Sequence, residues 1–211
     1  MMLATSQSKT VAADAEQCLE ALSPDLSVGL IHDIVMMAYS HVEDLTRFAP
    51  SNSKGVELHL RATEYLRERL SNVGWYVDNS ENVSSIGSAG GNLRIACSTA
   101  GGPDTGVITG SPTLSERGRG TLRLAGCKRV ETLPIPGLEE FASRSIVKLD
   151  NAAFWYLLMH IDESSEEIRM ELSEPAFYSD GSQLGWKNRI MLPPISLCIA
   201  RSAIDVSEAP M

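Results

Sequence analysis

The sequence predicts an α+β fold, with an N-terminal helical layer packed on a mostly antiparallel C-terminal sheet of about five to seven strands. Three observations predict it. Residues 10–74 carry apolar positions at helical spacing. At Trp75 the pattern changes to short apolar runs punctuated by glycine. Residues 154–195 then read as a strand, a turn, an alternating strand, a long connection and a third strand. The chain reads as one domain over 1–211, helical over 10–74 and β-rich over 75–200.

Residues 1–9 read as a frayed terminus. A short helix is predicted over 11–22, capped by Thr10 and broken by Ser23-Pro24-Asp25. Ser27 caps a longer helix over 28–48. Its apolar positions, among them Ile31, Ile34, Val35, Ala38 and Val42, form a wider stripe than a surface helix needs. That helix is expected to be largely buried, with a second subunit as one candidate cover, and Pro50 ends it. Ser53 caps a third helix running to Val73. Val56, Leu60, Leu66, Leu70 and Val73 line one face, and Leu58, Ala62 and Tyr65 widen it. Glu57 with Arg61 and Glu64 with Arg67 have ion-pair spacing on that helix. Gly74 suits a left-handed C-cap.

The β-rich part begins with strand candidates at 75–77 and 83–86, followed by an alternating strand over 93–97. A long irregular segment starts at Gly101, with weak strands at 107–108 and 122–124. An irregular stretch of that length inside a domain is functional or mobile. Residues 133–136 read as extended, 137–143 as helical turns and 146–149 as a strand. The closing meander has strands at 154–161, 168–172 and 189–192, the last stopping at Pro193-Pro194.

Composition narrows the function classes. The 211 residues carry a net charge of −9, which opposes nonspecific nucleic-acid binding by the whole surface. No apolar run approaches the roughly 18 residues needed to cross a bilayer. With no signal-peptide pattern at the N-terminus, the expected location is cytoplasmic, with no membrane partner. Cys18, Cys97, Cys127 and Cys198 form no Cys-x-x-Cys pair. They read as buried thiols in a reducing compartment, with no metal site and no cofactor expected.

The charge is unevenly placed. Residues 117–129 hold five basic side chains and no acid, whereas 131–180 hold eleven acids against three bases. The first of these stretches is the candidate functional segment. Arg117, Arg119, Arg123, Lys128 and Arg129 are interleaved with glycines and hydroxyls over 106–129. Such residues can bind a phosphate, a nucleotide or a nucleic-acid backbone through close backbone approach and bidentate contacts. The segment matches neither the phosphate-binding Gly-x-x-x-x-Gly-Lys-Ser/Thr template nor the dinucleotide Gly-x-Gly-x-x-Gly template.

Other candidates carry less chemistry. Phe154, Trp155 and Tyr156 are adjacent and must divide between two sheet faces. Trp155, Tyr156 and Trp186 are therefore interface candidates, to be covered by helix, loop or partner. Asp162, Glu163, Glu166 and Glu167 sit together in a turn and read as solvated. Glu171 alternates with Met170 and Leu172, so it faces away from the core. Glu171 and Glu174 carry the hydrolase alternative, but an Asp followed by Glu-x-Lys on paired strands is missing. His32, His41, His59 and His160 lack metal-site spacing, and no Gly-x-Ser-x-Gly elbow exists.

The sequence reading is thus a non-enzymatic cytosolic binding or regulatory protein acting through protein contacts or self-association. The 106–129 loop is its anion or nucleic-acid contact. The alternatives are a metal-dependent nuclease or other phosphoester hydrolase, and an acidic protein that occupies a partner's basic, nucleic-acid-binding site. No catalytic residue is assigned.

Overall fold

Capping and apolar spacing set the three helices. The computed structural model describes residues 9–11, 14–112, 152–177 and 183–198. Helix α1 spans Ala15–Leu22, and its cap is Asp14, whose side chain accepts from the Gln17 amide. Thr10 is not the cap; it lies in a short strand, β1, Lys9–Val11. Helix α2 spans Val28–Glu43 and opens as expected, with Ser27 Oγ accepting from the Leu30 amide at 3.0 Å. It stops five residues before the predicted end. Turns close from Leu45 to Val42 and from Ala49 to Thr46, and Phe48 is 81% exposed under the Arg47 guanidinium. With no core contact for Phe48, nothing rewards another helical turn.

Helix α3 spans Ser53–Ser71, preceded by Asn52, which makes no side-chain capping bond. Its buried stripe is Leu58, Ala62, Thr63, Leu66 and Leu70. Val56, Leu60 and Val73, placed on the core face by sequence, are exposed instead. The core takes the 58–62–66–70 row, and the competing row falls on the flank. Arg61 bonds to both Glu57 and Glu64, at 2.9 Å each. Arg67 turns away to the Asp78 carbonyl and Asn79. Gly74 has φ +92°, the left-handed conformation expected after the helix.

The remaining strands are β2 Tyr76–Asp78, β3 Ser85–Gly87, β4 Leu93–Ser98, β5 Ala153–Asp162, β6 Glu167–Phe177 and β7 Gln183–Ser196. They form one sheet in the order β1-β7-β6-β5-β4-β3-β2. A mixed, mostly antiparallel body of six strands is extended at the β7 edge by β1. The pairs β4–β5 and β1–β7 are parallel, and the others antiparallel. The chain is therefore α+β, with three N-terminal helices on the sheet. The weak strand predicted at 107–108 is absent; 101–112 runs through turns and a single 3₁₀ turn. The other elements predicted between 113 and 150, at 122–124, 133–136, 137–143 and 146–149, lie outside the described residues, as do residues 1–8.

The closing meander is longer than its apolar runs suggest. Residues 173–177 and 183–188, read by sequence as a polar loop, belong to β6 and β7. Strand β7 also continues through Pro193 and Pro194. Met170 pairs with Leu192 and Ile168 with Ile195, so Arg169 alone opposes both prolines. The prolines sit in a bulge where ladder donors are dispensable. His32 Nε2 on α2 donates to the Pro193 carbonyl at 2.9 Å.

Alternation divides the sheet into two faces. Ile95, Cys97, Trp155, Leu157, Met159, Met170, Leu172, Ile190 and Leu192 share one core with Ile34, Val35, Leu58 and Leu66 of the helices. Burial there pushes the Cys97 thiol up to about 12. The opposite face carries a separate cluster of Ala96, Phe154, Tyr156, Leu158 and Trp186.

The α3 register gives a direct contrast. Leu58→Ala should lower unfolding stability by about 2–5 kcal/mol, the range for a fully buried leucine. Leu60→Ala, at a residue 55% exposed, should change it by no more than about 0.5 kcal/mol. Urea denaturation of the two variants measures both, and equal losses would contradict the observed register.

Candidate functional site

The face turned away from the helices is where polar chemistry collects. Parallel strands need a crossover; the β4–β5 crossover begins at Thr99, and its first described residues lie against this face. Its described portion, 101–112, lies on the sheet through a buried ion pair. Ser173 pairs with Arg189 and Glu171 with Met191, so Arg189 and Glu171 are diagonal neighbours on adjacent strands. Glu171 is 0% and Arg189 2% exposed.

The pair is bidentate. Arg189 Nε donates to Glu171 Oε1 at 3.2 Å, and Nη2 donates to Oε2 at 2.5 Å. Ser173 Oγ adds a bond to Oε1 at 2.8 Å. The remaining capacity is spent on the loop. The Gly106 amide donates to Glu171 Oε2 at 2.9 Å. Arg189 Nη1 donates to the Gly110 carbonyl at 2.6 Å, and Nη2 to the Val107 carbonyl at 3.2 Å. Trp186 Nε1 donates to the Pro112 carbonyl at 2.8 Å. A carboxylate that accepts a loop amide and a guanidinium that reads two loop carbonyls fix the loop's backbone without a β-ladder.

Gly106 is required by two independent constraints. Its φ is +71°, and an added Cβ would stand 2.9 Å from Arg169 Cβ and 3.2 Å from the Met170 amide nitrogen. Glycine is the residue that reaches the sheet closely enough to donate to Glu171.

A second ion pair lies further along the same face. Arg94 Nη1 is 3.2 Å from Asp78 Oδ2, with both side chains nearly buried. The Tyr76 ring lies across Gly87, where a Cβ would meet it at 2.3 Å. Between the two ion pairs in strand order, Phe154 and Tyr156 pack edge to face at 5.0 Å.

The turn between β5 and β6 is polar and internally bonded. Asp162 accepts from Ser164 and Ser165 and pairs with Arg169 at 2.9 Å. The Ser164 and Ser165 bonds hold its carboxyl well below the usual range. Glu163 pairs with Lys54 at 2.5 Å. Half-buried His160 is held below its ordinary pKa, chiefly by burial and next by Arg169, against an opposing pull from Asp162. Glu174 binds Lys187 and Asn188. Among the described residues, no group of three or more His, Cys, Asp or Glu side chains is placed to hold a metal.

Of the sequence candidates, Arg117, Arg119, Arg123, Lys128 and Arg129 lie outside the described residues. Trp155 is buried in the helix-side core. Tyr156 and Trp186 are buried together on the opposite face. Glu171 does face away from the helices, but it is buried by Arg189 and the loop rather than solvated. Arg189 is the residue sequence reasoning missed. Its signal is a cation that opens the apolar run 189–192, with an acid, Glu171, inside the alternating run 168–172.

The chain matches no family model, no curated protein and no solved structure.

Gly106→Ala should lower stability by about 1–3 kcal/mol, through backbone strain and the clash with β6. Chemical denaturation measures it. A variant as stable as the wild type would contradict the close approach of the loop to the sheet.

Proposed function

We propose that the protein is a non-enzymatic, cytosolic binding protein that acts through contacts with a partner and holds an anion or nucleic-acid backbone through its 117–129 segment. The observation that supports this most is the anchorage of the 101–112 loop. Its last residue, Pro112, is held by Trp186, and Gly110 by Arg189. Arg117 follows Pro112 by five positions, a reach of at most about 18 Å. The basic segment therefore leaves from a fixed point on the sheet, which reduces the freedom that binding must remove.

The state of Glu171 favours binding over hydrolysis. Both of its oxygens are engaged inside the chain, by Arg189, Ser173 and Gly106. An acid committed in this way is a structural group rather than a ligand for a catalytic metal. Asp162 and Glu174 are likewise engaged within the chain, by Arg169, Lys187 and Asn188. That supports a basic contact segment over an acidic mimic of a nucleic acid.

Fluorescence anisotropy with labelled single- and double-stranded oligonucleotides tests the proposal. Log affinity should fall linearly with log salt. Arg117→Ala combined with Arg119→Ala should reduce the slope by about 1.4–1.8, two phosphate contacts' worth. Salt-insensitive binding, or a double variant with an unchanged slope, would remove the basic segment from the contact.

A further inference from the structure

We infer that residues 101–112 form a strap that opens and closes as one unit over an intact sheet, with the buried Arg189–Glu171 pair as its latch. The inference does not rest on the anion-binding reading. The strap first holds its own shape. The Thr105 amide donates to the Gly102 carbonyl at 3.1 Å, Val107 to Asp104 at 3.2 Å and Gly110 to Val107 at 3.0 Å. The Ser111 amide donates to Asp104 Oδ2 at 3.3 Å. One-turn hydrogen bonds are marginal in water on their own, so these turns open together with the strap once it leaves the sheet.

Its attachment is of a different kind. The bonds from Gly106, Val107 and Gly110 to the sheet all end on the latch pair. Gly101, Thr105 and Pro112 are buried, with Pro112 held by Trp186, but between Thr105 and Pro112 apolar anchorage is slight: Ile108, the strap's largest aliphatic side chain, is 58% exposed. A segment with little buried apolar surface opens well below the free energy of global unfolding.

The latch also stays satisfied when the strap leaves. Arg189 and Glu171 keep their two bonds to each other, and Ser173 keeps its bond to Glu171. Water then takes the places of Gly106, Val107 and Gly110. Opening strands no lone charge, so the usual penalty for breaking a buried ion pair does not apply. What opening uncovers is Trp186 and the paired charges, on a face whose strands remain hydrogen-bonded to one another.

Native-state hydrogen exchange on the full chain tests this at increasing denaturant. The amides of Gly106, Val107 and Gly110 should exchange through one shared opening with a shallow denaturant dependence. Met170 and Leu172 in β6 should exchange with the steep dependence of global unfolding. In the double variant Arg189→Met, Glu171→Met, the strap amides should exchange roughly 10- to 100-fold faster, the loss expected for hydrogen bonds to charged groups. The β6 amides should keep their dependence. Strap amides that exchange only with β6 in the wild type would overturn the inference, and that arm decides the matter even where the double variant does not fold. A folded double variant with unchanged strap exchange would overturn the role of the pair.

Discussion

The buried pair of Arg189 and Glu171 is the interaction on which the second face of the sheet depends. Bringing two charges out of water is unfavourable by several kcal/mol per ion and is offset only when the remaining donors and acceptors are satisfied. Here they are satisfied by Ser173 and by the loop backbone. Removing one partner should leave a bare charge at a site with no solvent, a loss of about 3–5 kcal/mol. A pair of this type adds little net stability over an apolar one. Its contribution is geometric, since it fixes the loop through an amide donated to Glu171 and two carbonyls that accept from Arg189.

Topology explains why the loop is there at all. The β4–β5 pairing is parallel, so the chain must travel back along the sheet before β5 can begin. The helices already occupy one face, and the crossover starts across the other. The three consecutive aromatics of β5 follow from the same division. Trp155 goes to the helices, while Phe154 and Tyr156 go to the crossover side. Both faces of the sheet thus carry buried aromatic surface, but by different means. One is covered by regular helices and an apolar core; on the other, an irregular segment is fixed at Trp186, Arg189 and Glu171 through polar side chains.

The fold class was legible in the sequence because two periodicities are clean: the helical spacing before Gly74 and the alternation in 154–172. Where apolar rows compete, the sequence does not choose between them. On α3 the row of Leu58, Ala62, Leu66 and Leu70 competes with apolar Val56 and Leu60, and only docking on the sheet selects the first. The ends of β6 and β7 were hidden because Ser173, Glu174, Lys187 and Asn188 are polar residues that pair across strands. The prolines of β7 read as a stop because a bulge cannot be seen without its partner strand. The latch was half visible. The facing of Glu171 follows from alternation, but its partner lies 18 positions away, at a separation set by register alone.

The fixed loop requires the Arg189–Glu171 pair to exist in solution as a buried, bidentate contact. Nuclear magnetic resonance of the Arg189 side chain in the full chain measures this most directly. A resolved Nε–H signal is expected, exchanging with water far more slowly than that of exposed Arg47, and losing its protection in Glu171→Gln. An Arg189 Nε–H that exchanges as fast as the Arg47 signal would contradict the account.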